Sequence, residues 1–281
     1  MKLATFIAGG APQLGAIDGE VIVALRDIAP DMISLIANWP ELEPKVRETL
    51  LAKDTAHALG AVRLAAPIAR PSKIMCMGLN YLDHIEESGI EAPADQTWFV
   101  KTANTVNGPF DPIPLPIASD KLDYEVELVA VIGKRGKHIA RENASRHVFG
   151  YAIGNDVSVR DWQLRTSQFV VGKSFDGHAP WGPWITTSDE VSDPHALDIR
   201  CVVNGELRQH SNTKHLLFNV WDMIAHLSQA MTLEPGDIIF TGTPGGVGWT
   251  MNPPRTLKPG DIVRCEIDGL GAIEGAITSE R

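Results

Sequence analysis

Cysteine is scarce in this chain of 281 residues, which contains three, Cys76, Cys201 and Cys265. They lie far apart and form no Cys-x-x-Cys pair, which favours free thiols over a disulfide framework. Free thiols are typical of a reducing compartment, and we expect the cytoplasm. Cys76 lies in the apolar run 74–78, so a small core residue is favoured over a nucleophile.

Long apolar runs are missing as well, and so is an excess of positive charge. No run approaches the length of a membrane span, and the first ten residues lack the apolar stretch of a secretion signal. Acidic residues outnumber basic ones by 35 to 25, which gives a net charge of −10. We therefore expect no membrane partner and no nucleic-acid partner. An acidic substrate would need a local cationic or metal site.

Several common catalytic motifs are absent. The chain contains neither Gly-x-Ser-x-Gly nor His-Glu-x-x-His, which argues against a serine-hydrolase elbow and a zinc-protease helix. Gly172-Lys173-Ser174 lacks the glycine that a phosphate loop needs five residues earlier, where Ser167 stands. The glycine-rich stretch 241–248 is followed by a proline-containing segment rather than a helix, so it is not a dinucleotide loop.

The hydrophobic content of 44% is enough for a sizeable core. Short strand patterns outnumber helical ones, so the sequence predicts an α+β fold. We expect a small N-terminal module over residues 1–66 and a β-rich domain over 67–281. Hairpin turns are predicted at Asp18-Gly19 and Asn204-Gly205. Helices are predicted at 32–37, 45–60, 81–88 and 218–231, with Asn80 as the N-cap of the third.

Three acidic residues stand next to two strongly apolar runs. Glu125 and Glu127 are two residues apart before the run 128–133, so a strand places both on one face. Asp156 comes near the end of the second run, 148–157, among small neighbours. Buried carboxylates are costly unless they are paired or bind metal, and three hard oxygen ligands suit Mg²⁺ or Mn²⁺. The alternative is an exposed acidic edge for the glutamates and a turn for the aspartate.

Two further motifs flank these carboxylates. Asn80-Tyr81-x-x-His84-x-x-Glu87 precedes them, and Gly172-Lys173-Ser174 follows them. In this order the motifs resemble those of the fumarylacetoacetate hydrolase family, over roughly residues 70–275. The resemblance implies a β-rich catalytic domain of mixed sheets, arranged as a roll or sandwich, after a small α/β module. It also implies a homodimer and a divalent metal, Mg²⁺ or Mn²⁺, held by Glu125, Glu127 and Asp156.

The resemblance also implies roles for other polar residues. His84 and Glu87 correspond to a catalytic dyad, in which the carboxylate orients the imidazole so that it can activate water. Lys173 corresponds to a catalytic cation that faces developing negative charge. Substrate-binding roles are implied for Tyr81, Lys101, Arg160, Gln163 and Thr243.

Most of these assignments have a structural alternative. The dyad could be a surface helix pair, Lys173 a solvated lysine, and the loop around Thr243 a plain hairpin. For Arg160 the alternative is a salt bridge to Asp156 or Asp161.

The function that the resemblance implies is hydrolysis of a carbon–carbon bond in a β-diketo acid of the acylpyruvate type, a small oxo acid. Isomerisation of an unsaturated oxo-dicarboxylic acid and decarboxylation of an oxaloacetate-type acid remain alternatives, since both occur in the family. A binding protein without activity is a third. The polar stretch after the helix that carries His84 predicts a lid over residues 84–97.

Overall fold

A large mixed sheet forms the centre of the fold in the computed structural model, which describes residues 1–89 and 91–280. Residue 90 of the predicted lid and residue 281 of the predicted domain lie outside the described residues. The strands in chain order are β1 (Lys2–Ile7), β2 (Gln13–Asp18), β3 (Val21–Ala24), β4 (Ala56–Ala58), β5 (Arg63–Ala65), β6 (Ile74–Gly78), β7 (Thr97–Val100), β8 (Val106–Asn107), β9 (Ile113–Leu115), β10 (Leu122–Asp123), β11 (Val126–Ile132), β12 (Val148–Asn155), β13 (Ser158–Val159), β14 (Ala179–Thr187), β15 (Asp198–Val203), β16 (Glu206–Asn212), β17 (Ile238–Phe240), β18 (Ile262–Ile267) and β19 (Gly271–Ser279). The helices are α1 (Met32–Ala37), α2 (Trp39–Ala52), α3 (Leu82–Ser88), α4 (Arg160–Gln163) and α5 (Val220–Ala230).

Two larger sheets account for nearly all of these strands. The main sheet has the order β4-β3-β2-β1-β14-β12-β11-β17-β6-β7, with β5 on β1 and β8 on β14. The second sheet has the order β16-β15-β18-β19-β9, and β10 pairs with β13. Parallel pairs, such as β17 with β6, occur among antiparallel ones. The predicted strand-rich α+β class with mixed sheets is confirmed.

The N-terminal strands join the main sheet. β1 pairs with β14 through Lys2 and Leu3. β2 turns into β3 at the hairpin predicted for Asp18-Gly19, with Asp18 paired to Val21 and with Gly19 and Glu20 as the two turn residues. The same sheet therefore contains strands from both predicted domains, and the boundary at residue 66 stays a prediction.

The predicted helix at 45–60 is confirmed over residues 45–52, but its bounds are wrong. α2 runs from Trp39 to Ala52, with Pro40 at its start and Pro44 inside it. Proline is tolerated in a first turn because the amide hydrogen it lacks has no helical partner there. Lys53 ends the helix in a left-handed conformation, and the following residues form β4 against β3.

The two central strands, β11 and β12, are buried on both faces. One face packs with the second sheet and α5, and the other packs with α1 and residues of α2. The strands are antiparallel, with Glu127 opposite Gly154. The start of β11 therefore lies beside the end of β12, which is followed by Asp156.

The second sheet and α5 agree closely with the sequence. The β15–β16 hairpin turns at Asn204-Gly205, where both residues have the positive φ that such turns need. α5 begins after Asn219, whose side chain forms a reciprocal capping box with Asp222. No helix among the described residues is long and apolar enough to cross a membrane.

The three cysteines are free and buried, as the sequence predicts. Cys76 lies in β6, and burial raises the pKa of its thiol well above the ordinary value. A buried thiol of this kind is a core residue rather than a nucleophile.

Candidate active site

A cavity of about 500 Å³ opens beside the start of β11. Its polar lining consists of His84, Glu87, Glu125, Arg160, Gln163, Lys173, Thr243 and Thr250. Its apolar lining includes Met77, Leu79, Phe99, Leu164, Phe169, Val247 and Trp249. A concave site with an apolar lining and a few convergent polar groups is typical of small-molecule binding. Most of the residues that the sequence singles out are thus brought to one cavity.

The three predicted metal ligands lie together. One carboxylate oxygen from each of Glu125, Glu127 and Asp156 lies within 4.8 Å of the other two, and all three residues are buried. The backbone N–H of Asp156 donates to the carbonyl of Glu125 at 2.9 Å, which ties the end of β12 to the start of β11. The alternative of an exposed acidic edge does not hold in this structure.

Two buried lysines enclose Asp156. Lys101 Nζ donates to Asp156 Oδ1 at 2.6 Å and to the carbonyl of Val157 at 3.1 Å. Lys173 Nζ donates to Asp156 Oδ2 at 2.7 Å and to Glu125 Oε2 at 2.8 Å. Lys173 lines the cavity and is not a solvated lysine, whereas Lys101 does not line it. The geometry makes Lys101 a counter-charge for Asp156, and its substrate-binding role stays a prediction.

The two glutamates of the cluster differ in their surroundings. Burial raises the pKa of Glu125, but Lys173 and Arg160 outweigh this effect and hold it at about 2. Glu127 Oε2 accepts the N–H of Gly242 at 2.7 Å, and the carboxylate pairs with no cation among the described residues. Burial, together with repulsion from Asp156 and Glu125, therefore raises the pKa of Glu127 well above its ordinary value.

These residues fit a divalent metal ion. The cluster offers three hard oxygen donors in a buried position, which is the ligand type that Mg²⁺ and Mn²⁺ prefer. The charge of Glu127 is uncompensated, and a cation held by the three carboxylates would offset it. Magnesium or manganese remains our proposal for the ion.

Arg160 forms a buried salt bridge, but its partners are not Asp156 or Asp161. Its Nε donates to Asp123 at 2.9 Å, and its Nη1 donates to Glu125 at 2.5 Å and to Gln163 at 2.9 Å. Arg160 lines the cavity, and its Nη2 is buried without a hydrogen-bond partner among the described residues. One guanidinium nitrogen of a cavity-lining residue is therefore buried and unpaired among the described residues.

Asp161 follows Arg160 in α4 but binds elsewhere. Its carboxylate accepts the hydroxyl of Ser119 at 2.6 Å and lies 3.5 Å from Arg165. The sequence places Asp161 next to Arg160, yet the short helix gives the two side chains different partners.

Asp123 is a site residue whose role the sequence did not reveal. Its buried carboxylate accepts the N–H groups of Gly248 and Trp249 and the Nε of Arg160, each at 2.9 Å. A methyl group on Gly248 would lie 2.8 Å from this carboxylate, so the close approach requires glycine. Asp123 thus holds both Arg160 and the backbone of the cavity-lining Trp249.

His84 and Glu87 lie on one side of α3 and both line the cavity. His84 Nδ1 is 3.5 Å from Glu87 Oε2. Glu87 also accepts the N–H of Gly246 at 2.9 Å and the hydroxyl of Thr250 at 2.6 Å. Burial raises the pKa of Glu87, but the nearby His84 imidazole and hydrogen bonds from Thr250 and Gly246 outweigh this effect and lower the pKa. The pair faces the cavity, which favours the dyad over a surface pair.

Asn80 and Tyr81 differ from expectation. Tyr81, not Asn80, is at the N-cap position of α3, because the Asn80 amide binds the carbonyls of Thr241 at 2.7 Å and Phe218 at 2.9 Å. Such tertiary partners satisfy a buried amide better than a local cap. Tyr81 is fully buried and does not line the cavity, and its hydroxyl has no partner among the described residues. Its substrate-binding role stays a prediction.

Thr243 and Gln163 line the cavity with hydrogen bonds already in place. The Thr243 hydroxyl donates to the carbonyl of Val126 at 2.9 Å and accepts from Gln209 at 2.8 Å. Its proton is therefore already donated to Val126, and the substrate-binding role of Thr243 stays a prediction. Gln163 accepts from Arg160 through Oε1, so its amide nitrogen is the end that can donate to a ligand.

Comparison with known proteins supports this description of the fold. The family profile for the fumarylacetoacetate (FAA) hydrolase C-terminal domain matches residues 73–278. The chain is 42% identical to a mitochondrial oxaloacetate tautomerase of Xenopus laevis, over 99% of this chain and 90% of that protein.

Two solved structures resemble the chain over its whole length and over theirs. A fumarylacetoacetate hydrolase from Exiguobacterium antarcticum has a TM-score of 0.88 at 37% identity, with 100% of both chains covered. A maleylpyruvate hydrolase from Sphingobium sp. SYK-6, in complex with manganese(II) and pyruvate, has a TM-score of 0.86 at 34% identity and the same coverage.

Proposed function

Because the chain belongs to the fumarylacetoacetate hydrolase family, we propose that it catalyses metal-dependent keto–enol tautomerisation of a small oxaloacetate-type 2-oxo acid. The carboxylate cluster of Glu125, Glu127 and Asp156, beside a cavity with cationic groups, is the observation that carries this proposal. The resemblance seen in the sequence implies carbon–carbon hydrolysis first. The relative named oxaloacetate tautomerase favours the alternative that leaves the carbon skeleton intact.

The residues of the cavity have separate tasks in this reaction. Mg²⁺ or Mn²⁺ held by the three carboxylates would supply positive charge beside the oxo group, which favours loss of the neighbouring C3 proton. Arg160 Nη2 and the amide of Gln163 bind the substrate carboxylate, and Lys173 faces the oxygen that gains negative charge. His84, oriented by Glu87, takes the C3 proton and returns it to oxygen.

A kinetic assay tests the proposal. The enol form of oxaloacetate is mixed with the protein, and its conversion to the keto form is followed by ultraviolet absorbance, with Mg²⁺, with Mn²⁺ or with a chelator. We expect a metal-dependent rate that saturates with substrate. A rate no higher than that of the buffer with the same metal would refute the proposal and would favour the binding-protein alternative.

Carbon–carbon hydrolysis of an acylpyruvate-type acid is the second candidate. The His84–Glu87 pair favours it, because only hydrolysis needs an activated water beside a distal carbonyl. The similarity to a maleylpyruvate hydrolase agrees with this candidate. A panel of acylpyruvates with product analysis distinguishes cleavage from tautomerisation, since tautomerisation yields no smaller acids.

We also propose a homodimer in a reducing compartment. The family resemblance supports the dimer, and the three free, buried thiols support the compartment, for which the cytoplasm remains our expectation. Light scattering at micromolar concentration tests the dimer, and a monomer mass would refute it. The relative from Xenopus laevis is mitochondrial by name, so fractionation of cells that express this chain is the test of the compartment.

A further inference from the structure

The cavity has a charged side and an apolar side. Among the described residues that line it, the permanent cations are Arg160 and Lys173, and both already pair with buried carboxylates. Of the nitrogens of these two cations, Arg160 Nη2 is buried and has no hydrogen-bond partner within the described part of the chain. This arrangement can bind one substrate carboxylate, and the rest of the lining offers apolar surface to the group on C3.

The apolar side, here called the apolar wall, begins next to Lys173. Its residues are Met77, Phe99, Leu164, Phe169, Val247 and Trp249. The Phe99 ring centroid lies 4.9 Å from Lys173 Nζ, and Phe99 meets Phe169 edge to face with centroids 6.0 Å apart. Aromatic rings prefer this geometry, and a further ring placed beside them would make similar contacts.

Building on the function proposed above, we propose that the site accepts arylpyruvates, 2-oxo acids that carry an aromatic ring on C3. The oxo group and its carboxylate would face Lys173, Arg160 and the carboxylate cluster, as for oxaloacetate. The ring would lie against Phe99 and Phe169, in place of the second carboxylate of oxaloacetate.

The chemical step is the same for both substrates. In the enol-to-keto direction an O–H bond breaks and a C3–H bond forms, so the proton moves from oxygen to carbon. No oxidant, reductant or second reactant is needed. Phenylpyruvate and oxaloacetate differ only in the group on C3, phenyl against carboxylate, so they form a matched substrate pair.

Phe169→Ala tests the proposal, with Phe169→Leu as a milder variant and Val171→Ala as the control. Val171 is exposed, lies two residues further along, and does not line this cavity. We expect the wild type to use phenylpyruvate, and Phe169→Ala to lower the kcat/KM ratio of phenylpyruvate to oxaloacetate by about tenfold or more. Phe169→Leu should lower it less, and Val171→Ala should leave it unchanged. An equal loss with both substrates would overturn the inference.

Calorimetry separates this inference from the proposed function. Phenylpyruvate and oxalate are titrated into the Mg²⁺-loaded protein, and the ratio of their affinities should fall by about tenfold or more in Phe169→Ala. If this holds while neither oxo acid is turned over, the arylpyruvate site stands and the tautomerase proposal fails. If oxaloacetate is turned over but phenylpyruvate is neither bound nor used, the arylpyruvate inference fails and the proposed function stands.

Discussion

Lys173 and Asp156 form a buried ion pair with an Nζ–Oδ2 distance of 2.7 Å, and the same nitrogen lies 2.8 Å from Oε2 of Glu125. The candidate catalytic cation is therefore part of the candidate metal cluster. Removing Asp156 or Glu125 leaves a buried ammonium with fewer partners, so these substitutions affect stability as well as metal binding. Glu127 differs, because it pairs with no cation among the described residues.

This difference gives a prediction for Glu127→Gln. Glutamine keeps nearly the same shape and can accept the Gly242 N–H, but it cannot act as an anionic ligand. We expect calorimetry to show loss of Mg²⁺ and Mn²⁺ binding, while thermal unfolding of the metal-free protein occurs at an equal or higher temperature.

The controls for this prediction are Glu125→Ala and Asp156→Ala, together with the exposed Glu142→Gln. The two alanine variants should lose metal binding. Their free energy of unfolding should also fall by about 3–5 kcal/mol, because each substitution breaks a buried ion pair. Glu142→Gln should resemble the wild type. Undiminished affinity in Glu127→Gln would remove this residue from the ligand set.

Asp123→Asn should weaken substrate binding. The amide group of asparagine would place a donor either against Arg160 Nε and the Trp249 N–H, which share Oδ2 of Asp123, or against the Gly248 N–H at Oδ1. We expect KM for the oxo acid to rise by about tenfold, on the order of one lost charged hydrogen bond, with a smaller change in kcat. Asp161→Asn, which alters the neighbouring acid without touching Arg160, is the control. Equal KM values for the two variants would show that Asp123 does not position Arg160.

The loss of folding stability at acidic pH should depend on His178. This side chain is fully buried, its Nε2 lies 2.7 Å from the carbonyl of Pro114, and burial lowers its pKa from 6.5 to about 4. Between these two values the unfolded chain binds a proton that the folded chain does not, so stability falls as pH falls. The loss is on the order of 3 kcal/mol across the window from pH 6.5 to about pH 4.

The variant His178→Gln tests this effect, since glutamine can donate to the Pro114 carbonyl but does not titrate. Its free energy of unfolding, measured with urea, should fall less steeply than that of the wild type between pH 6.5 and pH 4. His226→Gln is the control, because it replaces a different histidine, whose ring is stacked on Trp98. Identical slopes for wild type and His178→Gln would exclude His178 as the source.

Local sequence patterns predicted much of the fold. The Asp18-Gly19 and Asn204-Gly205 turns and the apolar stripe of α5 depend on neighbouring residues, so the chain order shows them directly. The bounds of the helix predicted at 45–60 are wrong, because Pro40 and Pro44 obscure the start of α2 in the sequence. Asn80 was misassigned because its partners, Thr241 and Phe218, are more than 100 residues away.

The candidate site also combines features set by local sequence with features set by residues that are distant in sequence. The sequence predicts the carboxylate cluster, because one buried strand begins at acidic residues, the other is followed by one, and the two strands lie side by side in antiparallel order. The hydrogen bonds of Asp123 to Gly248 and Trp249 were not predictable, since they join segments that no local pattern relates. The hydrogen bond that the Thr243 hydroxyl donates to Val126 was likewise not predictable, because the two residues are distant in sequence.

The account depends most on metal-assisted removal of the C3 proton, and deuterium incorporation at C3 of oxaloacetate measures this step directly. Proton NMR in D₂O follows the loss of the C3 signal with wild-type protein and with Glu127→Gln, each with Mg²⁺ or with a chelator. We predict exchange well above the protein-free rate for the wild type with Mg²⁺, and the protein-free rate for the chelated protein and for Glu127→Gln. Full exchange by Glu127→Gln, or by the chelated wild type, would contradict the account.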